Sequence, residues 1–334
     1  MNLKPVDQVI ENSTVILRLD LDLPIVDGKI VDNHRLVKSL STINKLLSRN
    51  CQLIIIGHLG RPDGIEEKYS LRPVYLELLS LLNNGYQSLF LENINDSELD
   101  KFALTQNQIV FVENLRFWSG ENSGDVSFLQ PLIDQSQVFV NDAIAVAHRP
   151  SASVLLHQYL PAFYGDNFIE EITNLQKILT SHHPKILIIG GAKDDKINYL
   201  SELANLFDNV CVGGKLPQFN DKLIFAPNIF VSTLTPDTFD IDQNSIDYIK
   251  TLISKSQTII WSGAMGFFEN PISKHGTQQI AQSLAESSAT YKVIAGGDTL
   301  SSIKELNLLD KIDFVSSGGG VLLEFLAKGN LPAW

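Results

Sequence analysis

Two kinds of cationic residue stand out in this chain by their spacing, and they are kept apart. The stretch from Ile186 to Ile197 reads Ile-Leu-Ile-Ile-Gly-Gly-Ala-Lys-Asp-Asp-Lys-Ile. Four apolar residues closed by a glycine pair have the form of a buried parallel strand and its turn. Lys193 and Lys196 then fall on the expected opening of a helix. Backbone N–H groups, a positive helix end and two ammonium groups would converge at the carboxyl edge of a sheet, which suits phosphate.

The second kind is arginine. All seven arginines lie before residue 150. Three of them follow apolar runs directly: Arg61 in Gly57-His58-Leu59-Gly60-Arg61, Arg116 in Glu113-Asn114-Leu115-Arg116, and Arg149 at the end of Asn141-Asp142 through His148-Arg149. Ligands of open parallel sheets sit outside the carboxyl ends of the strands, so these guanidiniums should share one crevice. Their planar forks match carboxylate and phosphate oxygens two at a time, which points to a small polyanion. Any one alone fits a surface ion pair; three at equivalent strand ends favour a site. Arg18, inside a strand, and Arg49, at a helix end, have a structural reading.

In the second half glycine takes the place of arginine after the apolar runs: Gly190-Gly191, Gly213-Gly214-Lys215, Ser262-Gly263-Ala264-Met265-Gly266, Gly296-Gly297-Asp298-Thr299 and Gly318-Gly319-Gly320. Bare backbone at several strand ends would form a smooth cleft for a base and a polyphosphate. A single double glycine is no more than a tight turn. Asp298 could hold magnesium bridging phosphate oxygens, or serve as a helix N-cap. Glu269 could accept from ribose hydroxyls, or be merely solvated. Neither a G-x-x-x-x-G-K-[ST] loop nor a G-x-G-x-x-G fingerprint is present, which disfavours a Walker ATPase and a dinucleotide dehydrogenase. No histidines stand at metal-ligand spacing.

The elements that must position these residues alternate along the chain. Strand-like runs are expected at Thr14–Leu19, Gln52–Ile56, Ile109–Val112, Val138–Val140, Lys185–Ile189, Asn209–Val212, Leu223–Phe225, Thr258–Trp261, Val293–Ala295 and Phe314–Val315. Helical spacing such as Leu36, Leu40, Ile43, Leu46, Leu47 lies between them. This alternation is that of α/β architecture with parallel sheets covered on both faces. With 334 residues, two domains are expected. The stretch 166–180, with Asn167 and Glu170 as a capping box and one apolar face, is the expected connector. A net charge of −12 argues against nucleic-acid or anionic-membrane partners. Cys51 and Cys211 make no metal or redox spacing and read as buried thiols in a reducing compartment. No leader or membrane span is visible, so a cytoplasmic protein is expected.

Taken in order, the motifs resemble those of the phosphoglycerate kinases over essentially the whole chain. The blocks are Arg18-Leu-Asp20-Leu-Asp22-Leu-Pro24, Asp32-Asn-His-Arg35, Gly57-His58-Leu-Gly60-Arg61-Pro62, Glu113-Asn114-Leu-Arg116-Phe117, Asn141-Asp142-Ala143 through His148-Arg149, Gly190-Gly191-Ala192-Lys193, Trp261-Ser262-Gly263-Ala264-Met265-Gly266, Gly296-Gly297-Asp298-Thr299 and Ser317-Gly318-Gly319-Gly320. The resemblance implies two Rossmann-like three-layer α/β domains joined by a hinge helix: residues 1–165, a helix over 166–180, and 181–319, with a tail of about 320–334 returning to the first domain. It implies that Asp20, Asp22, Arg35, His58, Arg61, Arg116 and Arg149 bind 3-phosphoglycerate. Lys193, Lys196, Gly213, Gly214, Gly266, Glu269, Gly296, Gly297, Asp298 and Thr299 would hold ATP or ADP, with Mg2+ carried by the nucleotide at Asp298. Arg35, Lys193 and Gly319 would serve the phosphoryl transfer. A monomer is implied.

This chain departs from the family pattern at several points. Asp22 replaces an asparagine, which sets a second carboxylate beside Asp20 in an anion pocket. Only two residues separate Lys193 from Lys196 where the family has three, a change of bearing by roughly 100° on a helix. Lys215 stands for a third glycine, Ser262 and Ala264 for asparagine and proline, Ser151 for a histidine, and the chain is shortened mainly between Gly214 and Asp240. The competing readings are a catalytically impaired member that binds an anion or a protein partner, and a kinase for another small carboxylic acid.

Overall fold

The computed structural model describes residues 3–83, 85–95 and 108–333. The strands in chain order are β1 (Thr14–Arg18), β2 (Ile25–Val26), β3 (Lys29–Ile30), β4 (Gln52–Ile56), β5 (Gln87–Leu91), β6 (Gln108–Val112), β7 (Val138–Asn141), β8 (Ala162–Tyr164), β9 (Lys185–Ile189), β10 (Asn209–Val212), β11 (Ile229–Val231), β12 (Thr258–Ser262), β13 (Tyr291–Ala295) and β14 (Phe314–Ser316). Among the described residues they form two six-stranded sheets, ordered β5-β6-β4-β1-β7-β8 and β11-β10-β9-β12-β13-β14, and a β2–β3 hairpin. Every pairing within the two large sheets is parallel.

Alternation of apolar residues explains why both faces of each sheet are covered. Val15, Leu17, Leu53, Ile55, Ile109 and Phe111 enter one core of the first sheet. Their neighbours Ile16, Ile54, Ile56, Val110 and Val112 enter the core on the opposite face. In the second sheet Ile186, Ile188, Ile259, Trp261 and Ile294 share one core, while Leu187, Ile189, Ile260 and Val293 are buried on the other face. A strand buried on both sides has no polar alternation, which is why these runs are continuously apolar.

The chain divides into two compact units, Met1–Glu171 with Pro332–Trp334, and Ile172–Leu331. The division falls inside the helix Asp166–Thr180. That helix does not start from an Asn167 capping box. Asn167 already lies within it, and the carboxylate of Asp142, just past β7, accepts from the Asn167 and Phe168 N–H groups at 2.9 and 3.2 Å. An acceptor already fixed at a strand end, with two oxygens to offer, satisfies the open donors of the first turn in place of a local amide. At the other end Lys185 Nζ donates to the carbonyls of Ile178 and Leu179. The helix Gly319–Lys328 packs on the segment 194–204 of the second unit.

Two sequence expectations shift. Leu223–Phe225 is not a strand; Phe225 is 73% exposed, and the strand that pairs with β10 comes after Pro227, at Ile229–Val231. An apolar triplet needs a neighbouring strand, and Ala226-Pro227 turns the chain before one is reached. Lys196 lies not on an α-helix but on a 3-10 segment, Asp194–Tyr199, with Lys193 at its N-cap in extended conformation.

Candidate active site

Each sheet has one point where the strand order reverses, and the singled-out residues gather there. In the first unit this lies between β1 and β7, whose onward chains run in opposite directions across the sheet. Arg18 ends β1, is buried, and ties the two strand ends together. Its Nε donates to Ser153 Oγ at 3.0 Å, and Nη1 donates to the Ala143 carbonyl at 2.9 Å and to Asn141 Oδ1 at 3.3 Å. Arg18 is structural, as is Arg49, which donates to the Val9 carbonyl. Arg72 pairs with Glu92 and covers the Phe90 ring.

Past these strands Arg116 and Arg149 come together at one cavity, which Arg35 and Arg61 do not line. His58, Arg116, Arg149 and Ser151 line a cavity of about 230 Å³. Arg116 is half-buried, donates to the Gly60 carbonyl, and feels Asp22, Arg149, Glu121 and Arg61, with burial lowering its pKa most. Arg35 donates to the Asp22 carbonyl at 3.2 Å. Asp20 accepts from the Ile144 and Ala145 N–H groups, both at 3.0 Å, so its carboxylate shapes the β7 loop that leads to Arg149. Asp22 accepts from the Gly60 N–H at 2.9 Å. With that bond and Arg116 beside it, its charge is compensated in place.

Sequence reasoning missed Glu121. This buried carboxylate meets His58 Nε2 at 2.5 Å and accepts from the Ser153 hydroxyl at 2.6 Å and the Ser153 N–H at 3.0 Å. Burial opposes its charge, but His58, Ser153 and Arg18 outweigh that and hold it at about 2. Burial pushes the His58 pKa down against the pull of Glu121. Glu121 therefore orients the imidazole and ties it to Ser153. Its local sequence, Ser-Gly-Glu-Asn-Ser, carries no trace of this, because every partner comes from elsewhere in the chain.

In the second unit the reversal lies between β9 and β12, and the order β11-β10-β9-β12-β13-β14 is that of a dinucleotide-binding sheet. Lys196 occupies the place that Arg18 has in the first unit. Its Nζ donates to the carbonyls of Gly190 and Ser262, the residues at the ends of β9 and β12, at 2.8 and 3.0 Å. Burial lowers its pKa to about 8, despite Asp195 and Asp298. Lys193 is exposed and has no hydrogen bond or ion pair among the described residues; Asp194 is taken up by Lys222 at 2.5 Å. In a 3-10 turn positions three apart eclipse, but Lys193 is still extended at the cap, so the two lysines serve different ends.

A pocket of about 280 Å³ opens over these strand ends, lined by Gly191, Gly214, Lys215, Phe239, Ala264, Gly266, Phe267, Glu269 and Asp298 among others. Its backbone walls are close-packed: a Cβ on Gly214 would lie 2.5 Å from the Gly191 nitrogen, and Gly214 has φ +60°. Gly213 is buried beneath the wall. Thr299 is also buried, its hydroxyl accepting from the Gly263 N–H at 2.8 Å, so it holds the loop from behind instead of facing the pocket. Asp298 follows Gly296 and Gly297 in the first turn of the helix Gly297–Glu305; Gly296 is the N-cap, and the Asp298 carboxylate has no hydrogen-bond partner among the described residues. Gly319 opens the helix Gly319–Lys328, where a Cβ would lie 2.5 Å from the buried Ser262 hydroxyl. That hydroxyl has no partner among the described residues. Backbone N–H groups at this helix start are of the kind that can receive an anion.

Comparison with known proteins gives one consistent answer. The phosphoglycerate kinase family model matches residues 6–220 and 231–329. The phosphoglycerate kinase of Dictyoglomus turgidum is 31% identical over 378 aligned positions, covering 98% of this chain and 96% of the relative. That of Orientia tsutsugamushi is 32% identical over 384 positions, covering 98% and 94%. The solved structure of phosphoglycerate kinase from Coxiella burnetii superimposes with a TM-score of 0.80 at 28% identity, covering 99% of this chain and 98% of that one.

Proposed function

The chain belongs to the phosphoglycerate kinase family, and from that premise we propose how its two pockets divide the reaction. The activity is the reversible transfer of a phosphoryl group between 1,3-bisphosphoglycerate and ADP, giving 3-phosphoglycerate and ATP. The first-unit cavity takes the acid: Arg61, Arg116 and Arg149 supply the cations for a phosphate, with the His58 imidazole beside them, and Asp20, Asp22 and Arg35 complete the site. The second-unit pocket takes the nucleotide.

The order of strands sets the direction in which that nucleotide lies. Asp298 and Gly318–Gly320 follow β13 and β14, while Lys215 and the neighbouring aromatic wall lie at the β10 side. Phosphates therefore belong with the free carboxylate and the helix start, and the base with Phe239 and Phe267. The residues present fit a nucleotide-borne magnesium ion. No group of three or more acidic, histidine or cysteine ligands occurs among the described residues, and magnesium is commonly held by one or two carboxylates plus substrate phosphates. Asp298 would hold it, and when bound the ion supplies charge neutralisation for the phosphates.

The acceptor carboxylate is ionised at neutral pH, so no general base is needed. What remains is alignment and the neutralising of charge on the transferring group, for which Arg35, Lys193 and the N–H groups of Gly319 and Gly320 are suited. Transfer requires the two substrates to meet, and the helix Asp166–Thr180, which contains the unit boundary, is the proposed hinge. A monomeric, cytoplasmic enzyme accompanies this reading; its support is the family resemblance and the buried free thiols Cys51 and Cys211. No described helix is long and apolar enough to cross a membrane.

The observation that carries the proposal is the meeting of Arg116, Arg149 and His58 at one cavity, on a chain whose other sheet presents a glycine-walled pocket. A coupled assay with ATP, magnesium and 3-phosphoglycerate tests it. Turnover that falls at least a hundredfold in Lys193→Ala is expected. No turnover in the wild type would leave an anion-binding role as the reading.

A further inference from the structure

Among the described residues Lys215 is the one cation on the wall of the nucleotide pocket, and its placement bears on which base the pocket accepts; the inference rests on the nucleotide reading given above. Its backbone is held rigidly. The Lys215 N–H donates to the Gly191 carbonyl at 2.9 Å, the Gly214 N–H donates to the Met265 carbonyl at 3.1 Å, and Leu216 is buried immediately after. The side chain is exposed toward the pocket and has no hydrogen bond or ion pair among the described residues.

Its distance from the phosphate end follows from the sheet. Lys215 follows β10 and Asp298 follows β13, three strand positions apart, or about 14 Å at the usual strand spacing. The turn that Lys215 begins also runs beside the aromatic wall, where Gln218 donates to the Thr238 carbonyl next to Phe239. Phe239 and Phe267, with ring centroids 6.2 Å apart, offer apolar faces to a flat base at this end. An ammonium placed there meets the edge of a base, not a phosphate.

An ammonium only donates. Guanine and hypoxanthine present two adjacent acceptors, O6 and N7, on one edge, whereas adenine sets an amino donor beside N7. We propose that Lys215 makes this enzyme favour 6-oxopurine nucleotides, so that GDP and IDP are bound at least as well as ADP.

The test is calorimetric titration of the full-length protein with ADP, GDP and IDP, for the wild type, Lys215→Met and Lys215→Gly. Because Lys215 is exposed, the exchange falls at the low end of a two-acceptor contact. The GDP-to-ADP affinity ratio should drop about fivefold in both variants. An unchanged ratio overturns the role of Lys215 while leaving the nucleotide pocket in place. Equal weakening of all three ligands overturns it as well and makes Lys215 a phosphate contact. If none of the three binds the wild type, the reading of the pocket itself falls.

Discussion

Both units fasten their strand reversal with one cation, fully buried in the case of Arg18 and partly buried in that of Lys196, but they do so with different chemistry. Arg18 in the first unit has a planar fork, a hydroxyl, an amide and a carbonyl to satisfy it, and Asp20 and Glu121 as compensating charges. Lys196 in the second has only two backbone carbonyls, with Asp195 and Asp298 as its compensating charges. Guanidinium stays charged under these conditions, whereas a desolvated ammonium is free to lose its proton. The unit proposed to bind a small acid is thus built on a permanent network of charge. The unit proposed to bind a nucleotide is built on backbone, and its cation is held by two carbonyls alone.

Removing the cations should separate the two cases most sharply. Arg18→Met leaves Asn141, Ser153, Glu121 and Asp20 without their shared partner in the interior. It should destabilise the protein by about 3–5 kcal/mol in denaturant titration, as breaking a buried ionic network does. Lys196→Met at neutral pH removes a charge that is itself costly to bury and should change stability far less. Equal losses would break the comparison.

The next largest effect is one of pH. The folded-state pKa of Lys196, about 8, lies below its ordinary 10.5. Its contribution is therefore fully present above 10.5 and is lost as pH falls through 8. Between these limits the wild type should gain on Lys196→Met by up to roughly 3 kcal/mol. A flat difference between the two proteins over that range would mean the ammonium is not desolvated.

Glu121→Gln probes the anionic side of the Arg18 network. The neutral amide keeps the shape but no longer compensates Arg18 or orients His58, so KM for 3-phosphoglycerate should rise roughly tenfold with KM for ADP unchanged. A rise in both would mean a general loss of folding. Arg72→Ala should do least. Its ion pair with Glu92 is exposed, so stability should stay within about 1 kcal/mol and KM should not move; a substrate effect would add Arg72 to the site.

Much of this was legible in the chain because strands buried on both faces leave an unbroken apolar run, as in Gln52–Ile56 and Thr258–Ser262, and the glycines and arginines stand directly after them. The three strands missing from the sequence reading of the large sheets, Gln87–Leu91, Ala162–Tyr164 and Ile229–Val231, are all edge strands. With one neighbour each they are short or partly exposed, and their composition gives little signal. Positions whose meaning is set by distant partners were equally silent. Asp142 stood in a quoted motif, yet its hold on the helix Asp166–Thr180 depends on residues 25 positions away. Thr299 faces away from the pocket for a reason found only in the packing of Gly263.

The division of labour between the units is tested most directly by measuring both ligands on two single variants. Calorimetric titration of Arg149→Ala should show 3-phosphoglycerate binding lost and ADP binding retained; Asp298→Ala should show magnesium-ADP binding weakened at least tenfold and 3-phosphoglycerate binding retained. If either substitution impairs both ligands equally in folded protein, or if each impairs the wrong one, the assignment of acid to the first unit and nucleotide to the second is contradicted.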